Sequence, residues 1–252
     1  MKGKIKDHGI IVKFSEYSES SLIIRCLTSK HGLISILAKG LRKQPQKNTL
    51  LAMGEYEFTL YAPSDEGLYL FCEAALIKEH GFEYAPEIWT AAQCGTELIA
   101  AMIIPAYEHE MIYDYLRLYL DYLGGVKSNA ILVFWRFFTR LMQIIGVPFS
   151  TSKCMICHAE DTKIIASAAA TADLVCADCY YESADKERYL LLASQSAGIL
   201  ALLPQIGNYL NLLHIERGTV RQINAILLVY YQAHFHKKLK LNSLSVLEQF
   251  YG

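Results

Sequence analysis

The sequence contains no stretch that meets the requirements of an exported or membrane-spanning chain. Its amino-terminal residues are rich in lysine and lack the unbroken apolar core and the small-residue cleavage site of a signal peptide. The most apolar helical stretch, residues 131–147, is interrupted by Arg136 and Arg140, whereas a membrane span needs roughly 18 to 20 uncharged residues. We therefore expect a cytoplasmic protein with no membrane contact, in which residues 131–147 form a core helix.

The motifs of several enzyme classes are also missing. The chain has no glycine-rich phosphate loop, no His-Glu-x-x-His helix, no Gly-x-Ser-x-Gly elbow and no His-x-Glu deaminase element. The sequence therefore offers no candidate catalytic residue, and we expect a protein that is not an enzyme and has no small-molecule substrate. An enzyme acting on nucleic acid is the rival hypothesis, and it would need carboxylates or an open metal site near basic residues.

Cysteine is sparse and odd in number, which argues against a disulfide framework. Three of the seven cysteines, at positions 26, 72 and 94, stand alone in apolar contexts, as is typical of a reducing compartment. The other four form two Cys-x-x-Cys pairs that are separated by eighteen residues. This spacing lets two pairs of thiolates face one tetrahedral ion. We predict one structural Zn²⁺, bound by Cys154, Cys157, Cys176 and Cys179.

Other uses of these cysteines remain open. Residues 154–158 satisfy the Cys-x-x-Cys-His pattern of c-type haem attachment, but that chemistry needs an exported chain and leaves Cys176 and Cys179 without a purpose. A rubredoxin-type iron centre uses the same four sulfurs, and a redox-active dithiol is a third possibility. His158 is expected to be solvated or to lie near the ion without binding it.

The net charge of −1 hides an asymmetry along the chain. Residues 1–50 carry ten Lys and Arg residues against three acidic residues, a net charge of +7, whereas residues 51–252 carry a net charge of −8. Such an asymmetry indicates that one end contacts a polyanion. Lys39, Arg42, Lys43 and Lys47 follow the third predicted strand, so we expect a basic loop that phosphates can approach. A simple solvated loop is the alternative.

The first eighty residues show the alternation and turn residues of β-strands. We predict strands over residues 10–17, 21–28, 33–39, 56–61 and 68–77, which close into an OB-type barrel because closure removes exposed edges. Aromatic residues in this region are more often part of a core, but some are candidates for stacking on bases. These candidates are Phe14, Tyr17, Tyr56, Phe58, Tyr61 and Tyr69.

The periodicity changes to that of amphipathic helices near Pro86. Three helices are predicted, ending near Pro105, at Gly124-Gly125 and at Gly146. After the cysteine region, whose alanine-rich residues 166–172 are expected to form a loop, we predict a helical stretch over residues 189–203. Thr219 and Gln222 are expected to form a capping box that opens a long helix. The predicted fold class is α+β: an N-terminal five-stranded OB-fold barrel (1–80), an α-helical bundle (81–149 and 187–252) and an inserted four-cysteine zinc module (150–186).

Several motifs in combination resemble the RecO family of bacterial recombination mediators. The chain reads Gly-Ile-Ile-Val-Lys at 9–13, Tyr-Ser-Glu-Ser-Ser at 17–21, Leu-Thr-Ser-Lys-His-Gly at 27–32 and Ala-Lys-Gly-Leu-Arg-Lys at 38–43. Further matches are Glu-Leu-Ile at 97–99, Gly-Val-Pro at 146–148 and the spacing of the cysteine pairs. The resemblance covers most of the chain.

The resemblance implies a nucleoid-associated protein that binds single- and double-stranded DNA and anneals complementary strands. It implies RecR and the acidic tail of the single-strand-DNA-binding protein as partners, so that RecA is loaded. By resemblance, DNA contacts carry over to Lys13, Arg25, Lys39, Arg42 and Lys43, and we add Lys47 from the same loop. Arg136 and Arg140 are the candidate contacts for the acidic tail.

One departure concerns the zinc loop, where family members commonly have glycines and this chain has residues 166–175 without any. Some relatives lack the cysteines altogether, so the ion is expected to stabilise the fold and not to take part in annealing. The alternative to the whole assignment is a zinc-stapled protein-protein scaffold without direct DNA binding.

Overall fold

The structure is a computed structural model that describes residues 3–43, 50–82, 85–160 and 162–252. The predicted contact Lys47 lies outside these residues. The chain divides into two compact units, Met1–Val126 and Lys127–Gly252, and each is described by itself. The finer division predicted from the sequence, into segments 1–80, 81–149, 150–186 and 187–252, stays a prediction.

The first unit contains the predicted five-stranded barrel of OB type. Its strands close in the order β1-β2-β3-β5-β4, and every neighbouring pair is antiparallel except β3 and β5. The observed bounds agree with the predicted ones to within about two residues except at the start of β1, which begins six residues earlier than predicted. The strands are β1 (Lys4–Glu16), β2 (Leu22–Thr28), β3 (Gly32–Ala38), β4 (Glu55–Tyr61) and β5 (Tyr69–Lys78).

The barrel interior is filled by the apolar half of each alternating strand. Ile11, Ile24, Ile36 and Phe58 are fully buried there, and together they exclude water from the barrel. A register shift between Ile11 and Lys13 in β1 leaves Lys13 exposed on the outside. Lys13 is therefore exposed on a strand that is held in place by its buried residue Ile11.

The turn between β2 and β3 is fixed by a buried carboxylate. Asp7, with 2% of its surface exposed, accepts hydrogen bonds from Ser29 Oγ at 2.8 Å and from His31 Nδ1 at 2.6 Å. Burial by itself raises the pKa of Asp7, but the hydrogen bonds from His31 and Ser29 lower it overall. Gly32, with φ of +68°, completes the turn in a conformation that glycine adopts without strain.

Two helices of the first unit, α1 (Pro86–Ala101) and α2 (His109–Leu123), pack against each other and on the barrel. Pro86 starts α1, where its missing N–H costs nothing. Tyr119 Oη donates to Ala91 O at 2.6 Å and joins the helices, and Tyr113 Oη donates to Glu55 Oε1 of β4 at 2.6 Å. No helix in the described parts of the chain is long and apolar enough to cross a bilayer.

The second unit is built on α3 (Ala130–Ile144), α5 (Ser194–Leu202), α6 (Arg217–Phe235) and α7 (Asn242–Leu247). Trp135 of α3 is fully buried, and its indole Nε1 donates to Asn224 Oδ1 of α6 at 2.7 Å. This bond satisfies the one polar atom of the indole inside the core. Residues 131–147 are thus confirmed as a core helix and the turn that follows it.

The cysteine region forms a three-stranded sheet in the order β7-β6-β8, followed in sequence after β7 by the short helix α4. The elements are β6 (Ile164–Ala168), β7 (Leu174–Cys176), α4 (Ala177–Glu182) and β8 (Tyr189–Leu191). The predicted loop at 166–172 is therefore wrong for its first half, which is strand. The predicted helix at 189–203 is wrong for residues 189–193, because residues 189–191 pair with the otherwise free edge of β6 and the helix begins only at Ser194.

The predicted capping box at the start of α6 is also wrong. The helix begins at Arg217, after Glu216, and no side chain caps its first turn. Thr219 is buried inside the first turn, and Gln222 instead accepts from Ala193 N at 2.9 Å and donates to Leu191 O at 3.0 Å. Gln222 therefore forms tertiary hydrogen bonds to Leu191 of β8 and to Ala193, and it does not cap the start of α6.

Candidate metal centre and nucleic-acid interface

The four predicted cysteine ligands come together at one point of the second unit. Cys154 and Cys157 lie in the turn after α3, Cys176 ends β7, and Cys179 lies on α4. Their four Sγ atoms all lie within 4.8 Å of one another, and Cys157 Sγ is 3.8 Å from Cys176 Sγ. A zinc–sulfur bond of about 2.3 Å gives a tetrahedron with edges of about 3.8 Å. The donor set therefore fits one tetrahedral metal ion with no open coordination position.

Backbone amides prepare this site for a thiolate. The N–H groups of Ile156 and Cys176 donate to Cys154 Sγ at 3.5 and 3.4 Å. Burial alone raises the pKa of Cys154, but these hydrogen bonds and one from the backbone of Cys157 lower it to about 6. Burial and hydrogen bonds with the other three thiols raise the pKa of Cys179. Cys154 therefore deprotonates more readily than an ordinary thiol, and Cys179 less readily.

His158 completes the turn but does not belong to the cluster of ligand atoms among the described residues. Its side chain is exposed, and its backbone is left-handed, with φ of +58°. The His158 N–H donates to Cys154 O at 3.1 Å and so closes the turn that holds the first pair.

Two of the predicted DNA contacts are direct neighbours on the outer face of the barrel. Lys13 of β1 lies opposite Arg25 of β2, and the flanking Ile24 and Cys26 point into the core. Lys13 is exposed, whereas Arg25 is half-buried and its Nε has no hydrogen-bond partner among the described groups. The Nε atom itself is enclosed by protein, so Arg25 contributes positive charge beside Lys13 without offering that atom as a donor.

The other described contacts, Lys39, Arg42 and Lys43, lie where the chain leaves β3. Gly40, with φ of +73°, turns the chain into a single turn of 3-10 helix at Leu41–Lys43. The guanidinium of Arg42 donates to Ser18 O at 3.0 Å and forms an ion pair with Glu16 at 3.0 Å. These contacts hold the loop against the β1–β2 turn, while Lys39 and Lys43 remain exposed and without an ion pair among the described residues.

Comparison with known proteins places this barrel and this cysteine module in one family. The model "Recombination protein O N terminal" matches residues 1–80, and the model "Recombination protein O C terminal" matches residues 84–243. The chain belongs to the RecO family. The RecO match begins with the barrel and ends at residue 243, so it includes most of both compact units.

Three RecO relatives show how far the similarity extends. The protein described as "DNA repair protein RecO" from Frankia casuarinae is 25% identical over 244 residues, which are 93% of this chain and 95% of that protein. Its counterpart from Caldicellulosiruptor bescii is 26% identical over 94% of this chain and 96% of its own length. The one from Bartonella bacilliformis is 30% identical over 61% of this chain and 62% of its own length. This chain is thus a RecO-family DNA repair protein, and that family is one of DNA repair mediators.

Most of the aromatic candidates for base stacking in this RecO chain belong to the barrel core. Tyr56 and Phe58 are buried, and Phe14 and Tyr69 pack against the same cluster. Tyr17 alone among these candidates has a mostly exposed side chain, at 59%. Tyr17 directly follows Glu16 in the chain. The ion pair between Glu16 and Arg42 was not predicted from the sequence, because the two residues lie on different segments.

The two arginines predicted as partner contacts lie one helical turn apart on α3. Arg136 donates to Leu203 O at 2.8 Å, and Arg140 donates to Gln143 Oε1 at 2.5 Å. Neither forms an ion pair with an acidic residue in the part of the chain that the structure describes. Their side-by-side position is compatible with a carboxylate ligand, which arginine binds in a bidentate manner.

Proposed function

We propose that this RecO-family protein binds single- and double-stranded DNA by its backbone and anneals complementary strands without catalysing a covalent step. The observation that carries the proposal is the basic loop at the end of β3, which Arg42 fixes against the β1–β2 turn while Lys39 and Lys43 stay exposed. Phosphates approach such a loop without any contact to base edges, and bases that remain uncovered are free to pair.

The binding is expected to be electrostatic and therefore sensitive to salt. Each phosphate neutralised on a single strand contributes about 0.7 to the slope of log affinity against log salt concentration. Lys13, Lys39 and Lys43 have no ion pair among the residues that the structure describes, and Arg42 must exchange Glu16 for a phosphate. Because Glu16 is 74% exposed at its side chain, that exchange costs little.

Charge reversal in the loop tests this proposal. In the variant with Lys39→Glu, Arg42→Glu and Lys43→Glu, we expect the salt slope for an oligonucleotide to fall by about 2, because three phosphate contacts are lost. The measurement is fluorescence anisotropy over a series of salt concentrations. An unchanged slope would remove the loop from the interface.

A matched control distinguishes the effect of the loop on DNA binding from the effect of the protein's net charge. The variant with Lys4→Glu, Lys6→Glu and Lys30→Glu changes the charge by the same amount on the same barrel, at the opposite ends of β1 and β3. We expect it to keep most of the slope. Equal losses in both variants would mean that the protein's overall charge, and not this loop, binds DNA.

We infer that the ion bound by the cysteine cluster is Zn²⁺ and that it stabilises the fold. The support is the closed set of four sulfurs, because a catalytic zinc keeps a position open for water or substrate. An iron tetrathiolate in the same place would absorb visible light, so a colourless protein with about one zinc per chain by elemental analysis is expected. A coloured protein that carries iron would contradict the inference.

The proposed partners are RecR and the acidic tail of the single-strand-DNA-binding protein, so that RecA is loaded onto covered strands. For the tail, Arg136 and Arg140 of α3 are the proposed contacts, since both lack an acidic partner among the described residues. The double variant Arg136→Glu and Arg140→Glu should lose binding to an acidic peptide while keeping DNA affinity. Unchanged peptide binding would place the tail elsewhere.

A further inference from the structure

The second unit carries a positively charged region that the sequence interpretation did not separate from its acidic surroundings. The excess of acidic residues lies in residues 51–126, with a net charge of −11, whereas residues 127–252 have a net charge of +3. Residues 217–247 contain five Lys and Arg residues and no acidic residue. The barrel loop is therefore not the sole basic region of this chain.

Three of these residues, Lys237, Lys238 and Lys240, form what we call the carboxyl-terminal lysine cluster. Helix α6 ends at Phe235, and His236 turns the chain with a left-handed φ of +52°. Residues 238–240 belong to no helix or strand, and Leu239 and Leu241 are buried at 9% and 7% exposure. All three lysines are exposed.

The buried leucines determine how the lysines are presented. Exposed and buried residues alternate from Lys238 to Leu241, and Leu241 itself has extended backbone angles, with φ of −111° and ψ of 105°. Each of the two buried leucines therefore follows an exposed lysine in the chain. The cluster is therefore a short charged row on an anchored segment and not part of a loose tail.

The ordinary explanation of such lysines is a helix carboxyl terminus, whose partial negative charge attracts cations. That effect falls off within the last turn. It accounts for Lys237 and Lys238 but not for Lys240, which lies five residues after the last residue of α6. No lysine of the cluster has an acidic partner among the residues that the structure describes. The charge is thus left available for an external anion.

We propose that the carboxyl-terminal lysine cluster binds the phosphates of a second nucleic-acid strand while the barrel holds the first. This inference rests on the proposed function, since annealing needs two strands on one protein. Two like-charged strands repel each other, and a chain with two separate basic surfaces neutralises both at once. The barrel loop then binds the first strand, and the carboxyl-terminal lysine cluster binds the complementary strand.

The test is the capture of two strands by the full-length protein. Two oligothymidylates, one with a donor dye and one with an acceptor dye, cannot pair with each other, so energy transfer between them reports simultaneous binding. The variant with Lys237→Gln, Lys238→Gln and Lys240→Gln should bind one strand as the wild type does, but should lose energy transfer and accelerated annealing. The salt slope of second-strand binding should fall by about 2 for three lost contacts.

The control variant carries Lys127→Gln, Lys153→Gln and Lys186→Gln, which remove the same charge from scattered positions of the same unit. It should behave as the wild type, and equal melting temperatures would confirm that all variants fold. Energy transfer that persists in the cluster variant would overturn the inference and leave the proposed function intact. A wild type that binds no oligonucleotide would instead overturn the proposed function.

The cluster can also be tested in the absence of the barrel site. Adding the three cluster substitutions to the variant with Lys39→Glu, Arg42→Glu and Lys43→Glu should further weaken the strand binding that this variant retains. If the combined variant binds as well as the barrel-loop variant alone, the cluster contacts no strand.

Discussion

Replacement of Cys176 by serine tests whether the cysteine cluster stabilises the second unit. Cys176 has 1% of its surface exposed, ends β7, and lies 3.8 Å from Cys157 Sγ. The sheet around it has strands of only five, three and three residues, and sheets of this size are marginally stable without further support. Structural zinc binding is worth about 10–16 kcal/mol, so losing one of four ligands should cost about 3–4 kcal/mol.

The change should be visible as a lower melting temperature and as lost metal. A shift of about 2–4 °C per kcal/mol gives a decrease of about 10 °C. Hydrogen exchange should be fastest for module amides such as Ala168 N–H, which is bonded to Asp173 O at 2.8 Å. Cys72→Ser is the control, because Cys72 is a half-buried cysteine outside the cluster. A Cys176→Ser protein that melts at the wild-type temperature and retains its zinc would show that the cluster does not stabilise this unit.

Three further predictions concern the first unit. Tyr17→Ala should weaken binding of a single strand by about 1–3 kcal/mol if the exposed ring stacks on a base, whereas Tyr17→Phe should not, as anisotropy will show. Burial lowers the pKa of His80, so as the pH falls the unfolded state binds a proton before the folded state does. The free energy of unfolding should therefore decrease from pH 7 to pH 5. Denaturant titrations of His80→Gln should show a smaller decrease over the same range. Because the pKa of Asp7 is lowered, its contribution is present above the unfolded value of 3.8 and is lost as the pH falls through the folded value. Asp7→Asn should cost about 1–3 kcal/mol at pH 7 in the same titrations, and the cost should shrink as the pH falls below 3.8.

The barrel was predictable because its strands alternate and its turns contain glycine, proline and polar residues. The prediction missed residues 4–9 at the start of β1, where charged side chains obscure the alternation. Asp7 shows the reason: it is buried because Ser29 and His31 satisfy its oxygens, and hydropathy does not contain that information. Gly9 shows a second reason. A Cβ at this position would lie 2.5 Å from Cys26 Sγ, and such a close approach is visible only in three dimensions.

The errors after residue 160 have a common physical origin. Residues 189–191 are apolar without a clear period, so sequence alone does not distinguish strand from helix. These residues form a strand because they pair with the free edge of β6. Gln222 then donates a hydrogen bond to Leu191 of this strand, β8, and does not cap the start of α6. The cysteine cluster was predictable because ligand spacing is a local property. The carboxyl-terminal lysine cluster was missed because charge was summed over residues 51–252 as one block.

The proposed function requires that this chain bind the phosphate backbone of DNA through exposed positive charge. The most direct measurement is the affinity of the purified wild type for a single-stranded oligonucleotide over a series of salt concentrations. With about four phosphates neutralised, log affinity should fall with log salt concentration at a slope close to −2.8. A protein that binds no oligonucleotide in dilute buffer, or binds with an affinity that salt does not change, would contradict the account.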